Sequence, residues 1–273
     1  MFGTSTFIAL GIMVAAGVIL PVGLAIWWIR TKHEKITTML VGAAAFLIFA
    51  LILESLVHNI VLRAFPVIFN TTALYVIYGA LMAGLFEETA RYIAFRTVLK
   101  KRRNRETSIS YGIGHGGFEA LIFLAYGGFQ YITYAVLING NQLQPLIDEA
   151  AAAGVDTAAI EALPSQIAAI TLPVAGVSIL ERIFAVTLHI GLSILVFYAV
   201  KKSGPALYAL AILLHALFDV PAALYQKGVL GQGVVEVILG VFAVILFIAV
   251  FTLLYKKDAG AAPKAEPEAV SEA

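Results

Sequence analysis

Long apolar runs separated by short charged clusters make up most of the chain, and their lengths are those of membrane-crossing helices. Phe7 to Ile29 is the first run, ending at Trp27, Trp28 and the basic cluster Arg30, Lys32 and Lys35. It lacks a basic n-region and a clear A-x-A site and is long for a signal peptide, so it reads as a retained helix. Thr37 to Ile60 and Thr71 to Phe95 follow, the latter closed by Arg96, Lys100, Lys101, Arg102, Arg103 and Arg105. Ile109 to Leu137 is the fourth run, broken up by glycines that permit close helix contact or local unwinding. A fifth apolar region covers residues 167 to 200, and at 34 residues it is long for one span. Pro173 and Gly176 are expected to kink or interrupt it. Ala206 to Leu224 and Val234 to Tyr255 are the sixth and seventh, the last apolar all round.

Between the fourth and fifth runs, Asn139 to Pro164 is the longest polar interruption, in which Pro145 to Ala153 reads as a short surface helix. Residues 1–257 therefore read as a single transmembrane helical domain. The tail from Asp258 to Ala273, rich in Ala, Glu and Pro, is expected to be disordered on the cytoplasmic side. Basic clusters follow runs one, three, five and seven, while the other connections hold little Lys or Arg beyond Arg63 and Lys227. The positive-inside rule then predicts an all-α polytopic bundle of seven helices, amino terminus outside and carboxyl terminus cytoplasmic. Six or eight spans remain compatible with the pattern. The expected location is the cell's inner (cytoplasmic) membrane, multi-pass, with membrane lipid as the surrounding partner.

Composition agrees with this picture: 61% of residues are hydrophobic and 13% charged, far from soluble usage. A net charge of +1 gives no electrostatic reason to expect nucleic-acid binding. The absence of cysteine excludes disulfides, thiolate catalysis and cysteine-ligated metals.

Candidate chemistry lies in the polar residues inside the apolar runs, which are costly in lipid and normally face a polar interior. The third run carries Glu87, Glu88 and, one turn on, Arg91. An internal ion pair accounts for one carboxylate but not two. Like charges so close raise one pKa and leave a proton donor beside an acceptor, which suits acid/base work. Depth can be counted from the basic edges at about 1.5 Å per residue. Glu87 lies 13 residues before Lys100, His115 10 after Arg105, His189 12 before Lys201 and His215 13 after Lys202. All four thus sit roughly 15 to 20 Å from the basic anchors, one layer contributed by four helices. His115 and Glu119 are four apart, as are His215 and Asp219, so each acid is placed to orient its imidazole. Glu54, His58, Glu181 and Arg182 are expected to form a second polar layer nearer the outer surface, where His58 reads equally well as a structural hydrogen-bond partner. Three imidazoles, His115, His189 and His215, with a carboxylate suffice for zinc or another divalent cation. The HExxH pattern is absent, and the same residues suit a metal-free hydrogen-bond network.

The residues Glu87, Glu88 and Arg91, the stretch from Tyr111 to Glu119 containing His115, Glu181 and Arg182 with His189, and His215 with Asp219 together resemble the YhfC family. That bacterial membrane family is placed near the CAAX-protease and bacteriocin-processing superfamily and the PrsW proteases. The resemblance covers the second through sixth runs. Tyr111 stands where the superfamily pattern has phenylalanine, and His189 and Glu119 add polar groups beyond the simplest pattern.

What the resemblance implies is an intramembrane endopeptidase acting on a membrane-associated protein or peptide, with Glu87 or Glu88 activating water and histidines stabilising the oxyanion. On this reading Glu87 is the general base, Glu88 tunes it and Arg91 holds one carboxylate. His115 and His215 polarise the scissile carbonyl or protonate the leaving amine, Glu119 and Asp219 orient those rings, and His189 completes the pocket. In a metal-dependent version some of these histidines and a glutamate hold the cation. The cavity is expected to open toward the cytoplasmic half, with the glycines of the fourth run as an entry for substrate. A proton-coupled transporter or ion channel is the alternative, since intramembrane acids and imidazoles also relay ions. A scaffold or receptor is a third.

Overall fold

The computed structural model describes residues 1–202 and 204–259, and within them the apolar runs are helical. In chain order they are α1 (Thr4–Lys32), α2 (Ile36–Ala64), α3 (Thr72–Arg96), α4 (Glu106–Asn139), α5 (Leu172–Lys201), α6 (Pro205–Gln226) and α7 (Gln232–Asp258). Six of them are long and apolar enough to cross a membrane. The exception is α3, 25 residues long, whose apolar content is diluted by Glu87, Glu88, Arg91 and Arg96. It is held by its neighbours instead, packing most extensively on α6 and also on α2 and α5. No strand occurs among the described residues. The expected tail lies, beyond residue 259, outside them.

Local sequence explains the joints. α1 stops where His33 turns left-handed at φ 53° and its N–H caps the Ile29 carbonyl. The over-long fifth run is divided before α5 begins: Leu163–Ala168 is a separate short helix. Pro173 stands in the first turn of α5, where a missing N–H costs nothing, and Thr171 Oγ1 accepts from Val174 N at the cap. Pro173 therefore starts this helix and does not kink it. A short surface helix, Leu143–Ala152, occupies the polar connection as expected.

The glycines of α4 serve close packing. A Cβ on Gly114 would run into the Met39 carbonyl of α2, one on Gly112 into Ile190 of α5, and one on Gly117 into Pro21 of α1. The backbone they expose is thereby covered by α1, α2 and α5, so the substrate entry expected there is closed. Three stretches are π-helical: Phe46–Glu54 in α2, Leu121–Tyr126 in α4 and Phe251–Tyr255 in α7. The first two lie beside the polar interior, the usual setting for such widened turns.

All helix ends next to basic clusters gather at one end of the bundle. There Arg102 bonds Thr37 and Thr38, Asn104 bonds Glu34, Arg105 bonds the Tyr255 carbonyl and Lys201 bonds Asp258. At the opposite end Tyr75 bonds Gln226, Lys227 bonds the Phe69 carbonyl and Asn139 bonds the backbone of Phe2.

Candidate metal centre

Four helices converge their polar residues midway along the bundle. α3 supplies Glu87, Glu88 and Arg91, α4 supplies His115 and Glu119, α5 supplies His189 and α6 supplies His215 and Asp219. All but the half-buried Asp219 are buried. Gly116 faces the His189 side chain, where a Cβ would stand 3.0 to 3.1 Å from it, so α4 can bring His115 close to α5.

Glu87 and Glu88 are successive residues and therefore point in directions about 100° apart. Glu87 Oε2 meets His115 Nε2 at 2.8 Å. Glu88 Oε1 takes Arg91 Nη1 and, at 2.7 Å, His215 Nδ1. The two carboxylates hold different partners. Arg91 Nη2 approaches His189 Nδ1 at 3.0 Å, and because a guanidinium only donates, Nδ1 is the accepting nitrogen. The ring proton of His189 then sits on Nε2, which lies 2.5 Å from Glu119 Oε2. That contact is not aligned as a hydrogen bond, and Oε2 counts among the buried oxygens lacking one. Arg182 Nη1 bonds the other oxygen of Glu119 at 2.5 Å and Arg182 Nη2 bonds Glu181 at 2.5 Å.

Glu88 and Arg91 pair as the local spacing suggested, but two other partners differ from it. Glu119 meets His189 and Arg182 across the bundle, and His115 meets Glu87. Asp219 Oδ2 stands 3.5 Å from His215 Nε2, a loose contact, so the firm hold on that ring comes from Glu88. Glu54 and His58 do pair along one helix at 3.1 Å, and Tyr78 Oη lies 3.0 Å from the other imidazole nitrogen.

A cavity of about 650 Å³ runs from this cluster. Glu87, Glu119, His189, His215 and Asp219 line it, and so do Glu54, His58, Glu181 and Arg182. The two polar layers expected from sequence are thus one continuous chamber. His115, Glu88 and Arg91 stand behind its wall. Its lining lies on α2 beyond Phe46, on α5 before His189 and on α6 beyond His215, the halves away from the basic end. The expected opening toward the basic, cytoplasmic half is therefore corrected to the opposite side. On the basic side the site is stopped by aromatic packing, with Phe95 against Tyr111 at 4.9 Å and against Phe197 at 5.4 Å between ring centres.

Ligand atoms of Glu87, His115 and His189 lie within 4.8 Å of one another. Glu87 Oε2 is 2.8 Å from His115 Nε2 and 3.8 Å from His189 Nδ1. Those separations bracket the roughly 3.4 Å between neighbouring ligands of tetrahedral zinc. Two imidazoles and one glutamate form a donor set used by catalytic zinc, with a coordination position left over. His215, third in the ligand set expected from sequence, lies outside this group. Its Nδ1 is turned to Glu88, and its Nε2 is 3.9 Å from Glu87 Oε2. Charge also favours a cation: six acids, Glu54, Glu87, Glu88, Glu119, Glu181 and Asp219, share the polar interior of an apolar bundle with two arginines, Arg91 and Arg182, and with imidazoles that can serve as neutral ligands. The residues present fit a divalent ion.

Glu236 of α7 was not anticipated, that run having read as apolar throughout. It is buried, its Oε2 has no hydrogen-bond partner, and it borders a separate groove against Leu180 and Phe184. A lone glutamate near the start of the run was the available signal.

Comparison with known proteins agrees with this geometry. The sequence model of the YhfC intramembrane metalloprotease family matches residues 16–239. The chain is 35% identical over 253 residues to the uncharacterized membrane protein YhfC of Bacillus subtilis (strain 168), covering 89% of this chain and 94% of that protein. No solved structure matches it. With most of its length and all of its buried polar cluster inside the matched region, the chain belongs to the YhfC intramembrane metalloprotease family.

Proposed function

We propose that this protein is a metal-dependent endopeptidase that hydrolyses a peptide bond of a membrane-associated protein or peptide inside the cavity. The observation that carries the reading is the convergence of Glu87, His115 and His189 on one point at the floor of a polar chamber within an apolar bundle. These three would hold the ion. When bound there, a divalent cation supplies the Lewis acidity that makes water nucleophilic near neutral pH and polarises the scissile carbonyl.

The chain's own residues supply the rest. Glu119 beside Nε2 of His189 keeps the ring's other nitrogen facing Glu87, the outer hold that metal-bound imidazoles generally require. Glu88, anchored by Arg91, takes the Nδ1 proton of His215 and so leaves Nε2 toward the chamber. In its imidazolium form His215 carries a second proton on Nε2, with which it can hydrogen-bond the developing oxyanion or protonate the departing amine, with Asp219 within reach at 3.5 Å. The aromatic packing of Phe95, Tyr111 and Phe197 keeps bulk water out from the basic end.

One observation favours a second, metal-free reading. Glu87 is already bonded to His115 and His189 Nδ1 to Arg91, which would leave Glu87 as general base for a water. Metal analysis of the purified protein separates them. The proposal expects one tightly held divalent ion per chain, lost in Glu87→Gln and His189→Ala together with peptide cleavage. A metal-free preparation that cleaves at full rate in the presence of chelator overturns it.

A further inference from the structure

The chamber's polar lining extends toward one end of the bundle, and that direction bears on where substrate comes from. Thirteen of the 18 lysines and arginines cluster at one end of the bundle, on the connections after α1, α3, α5 and α7, against Arg63 and Lys227 at the other. Such a bias marks the cytoplasmic end of a membrane protein. Every cavity-lining residue lies between the buried cluster and the end without the basic clusters. A second groove, of about 380 Å³, shares Ser55 and His58 with the cavity and continues past Asn59, Leu62 and Arg63 to Phe69 at that same end. Toward the cytoplasmic end there is a separate hollow of about 440 Å³ lined by Arg96, Lys100 and Arg103 among others. Among the described residues none lines both that hollow and the cavity.

We infer that the site is served from the non-cytoplasmic face. The substrate is an extended segment of a membrane-anchored polypeptide next to its anchor on that side, lying along the α2 groove and entering past Ser55 and His58. An extended segment is required because a helical one buries its amides in its own hydrogen bonds and keeps the scissile carbonyl from Glu87. The inference rests on the endopeptidase reading for what happens to the segment, but the route itself stands on the shape of the cavity and the distribution of charge.

The chain has no cysteine, so it is its own background for accessibility mapping. Single variants Ser55→Cys, Asn59→Cys and Ser178→Cys place a thiol along the route, and Lys100→Cys marks the basic end. Each full-length variant is treated with a membrane-impermeant maleimide in right-side-out and in inside-out membrane vesicles. The three route thiols are expected to react in right-side-out vesicles and Lys100→Cys only in inside-out ones. Reaction of the route thiols from the same face as Lys100→Cys, or from neither face, overturns the inference. Labelling as expected in a protein that binds no metal and cleaves nothing leaves the route standing and removes the endopeptidase reading instead.

Discussion

Arg91 is the most constrained residue of the site. It is fully buried, bonded to Glu88 and His189, and its guanidinium lies 6.0 Å from the Tyr111 ring centre. Truncating one partner of a buried ion pair strands the other charge, at about 3–5 kcal/mol. Arg91→Met is therefore expected to lower the thermal midpoint of the detergent-solubilised protein markedly, and adding Glu88→Gln to recover much of the loss. Glu119 acts through His189, so Glu119→Gln should weaken divalent-ion affinity by about 10–100-fold. Competition with a chromophoric chelator reads this directly, and unchanged affinity would disconnect Glu119 from the ion. Tyr111 has a buried hydroxyl with no hydrogen-bond partner. Removing an unsatisfied group relieves a penalty of about 1–3 kcal/mol, so Tyr111→Phe should match or exceed wild-type stability in the same thermal assay. The sequence revealed which residues converge because buried charge in apolar runs is conspicuous. It missed the partners that lie across the bundle because a spacing of three or four reports only neighbours on one helix. His115 with Glu119 looked like a pair, yet packing gave His115 to Glu87 and His189 to Glu119; His215 does reach Asp219 at 3.5 Å, but its hydrogen bond goes to Glu88.

At the level of helices, α4 decides how closely the others approach. Gly42 of α2 and Gly114 of α4 each press on the other helix's backbone, so a methyl group at either place meets rigid main chain. Gly114→Ala must push α4 off α2 and so displace its neighbour His115 relative to Glu87 on α3. Loss of stability by about 1–3 kcal/mol, the usual cost of overpacking, is expected together with weakened ion binding. Gly79→Ala on α3 is the matched control, because nothing lies within 4 Å of the point where its methyl group would stand and alanine favours a helix. Equal thermal midpoints for the two variants would refute the packing role. The apolar runs made these helices legible, and the glycines marked α4 as a close-packing element. The π-helical stretches Phe46–Glu54 and Leu121–Tyr126 were not legible. An extra residue per turn leaves no composition signature, and it re-aims Glu54 only through tertiary packing.

The whole bundle separates a polar chamber from a basic hollow by a wall in which buried Glu88, Arg91 and His115 rest on a layer of aromatic side chains. Phe95 is its centre, packed on Tyr111 and Phe197, and it also lines the basic hollow. A transporter or channel needs a path, continuous or alternating, past such a layer, whereas a hydrolase open to one side needs the layer to stay shut. The depth count along the helices recovered the level of the site but not which half was hollow, since hollowness depends on the volumes of side chains from several helices at once. Reconstituted in liposomes holding a pH-sensitive dye, the wild-type protein is expected to add no proton leak under an imposed gradient. Phe95→Ala removes the ring that joins Tyr111 to Phe197, at a core-truncation cost of about 3–5 kcal/mol. Where the variant still elutes as a monodisperse species, it should conduct protons, because the buried Glu88, Arg91 and His115, bonded to the chamber's acids and imidazoles, then face the basic hollow. A steady wild-type proton flux coupled to a second solute would mean that the aromatic layer opens in normal operation, and the chamber would then be a transport site.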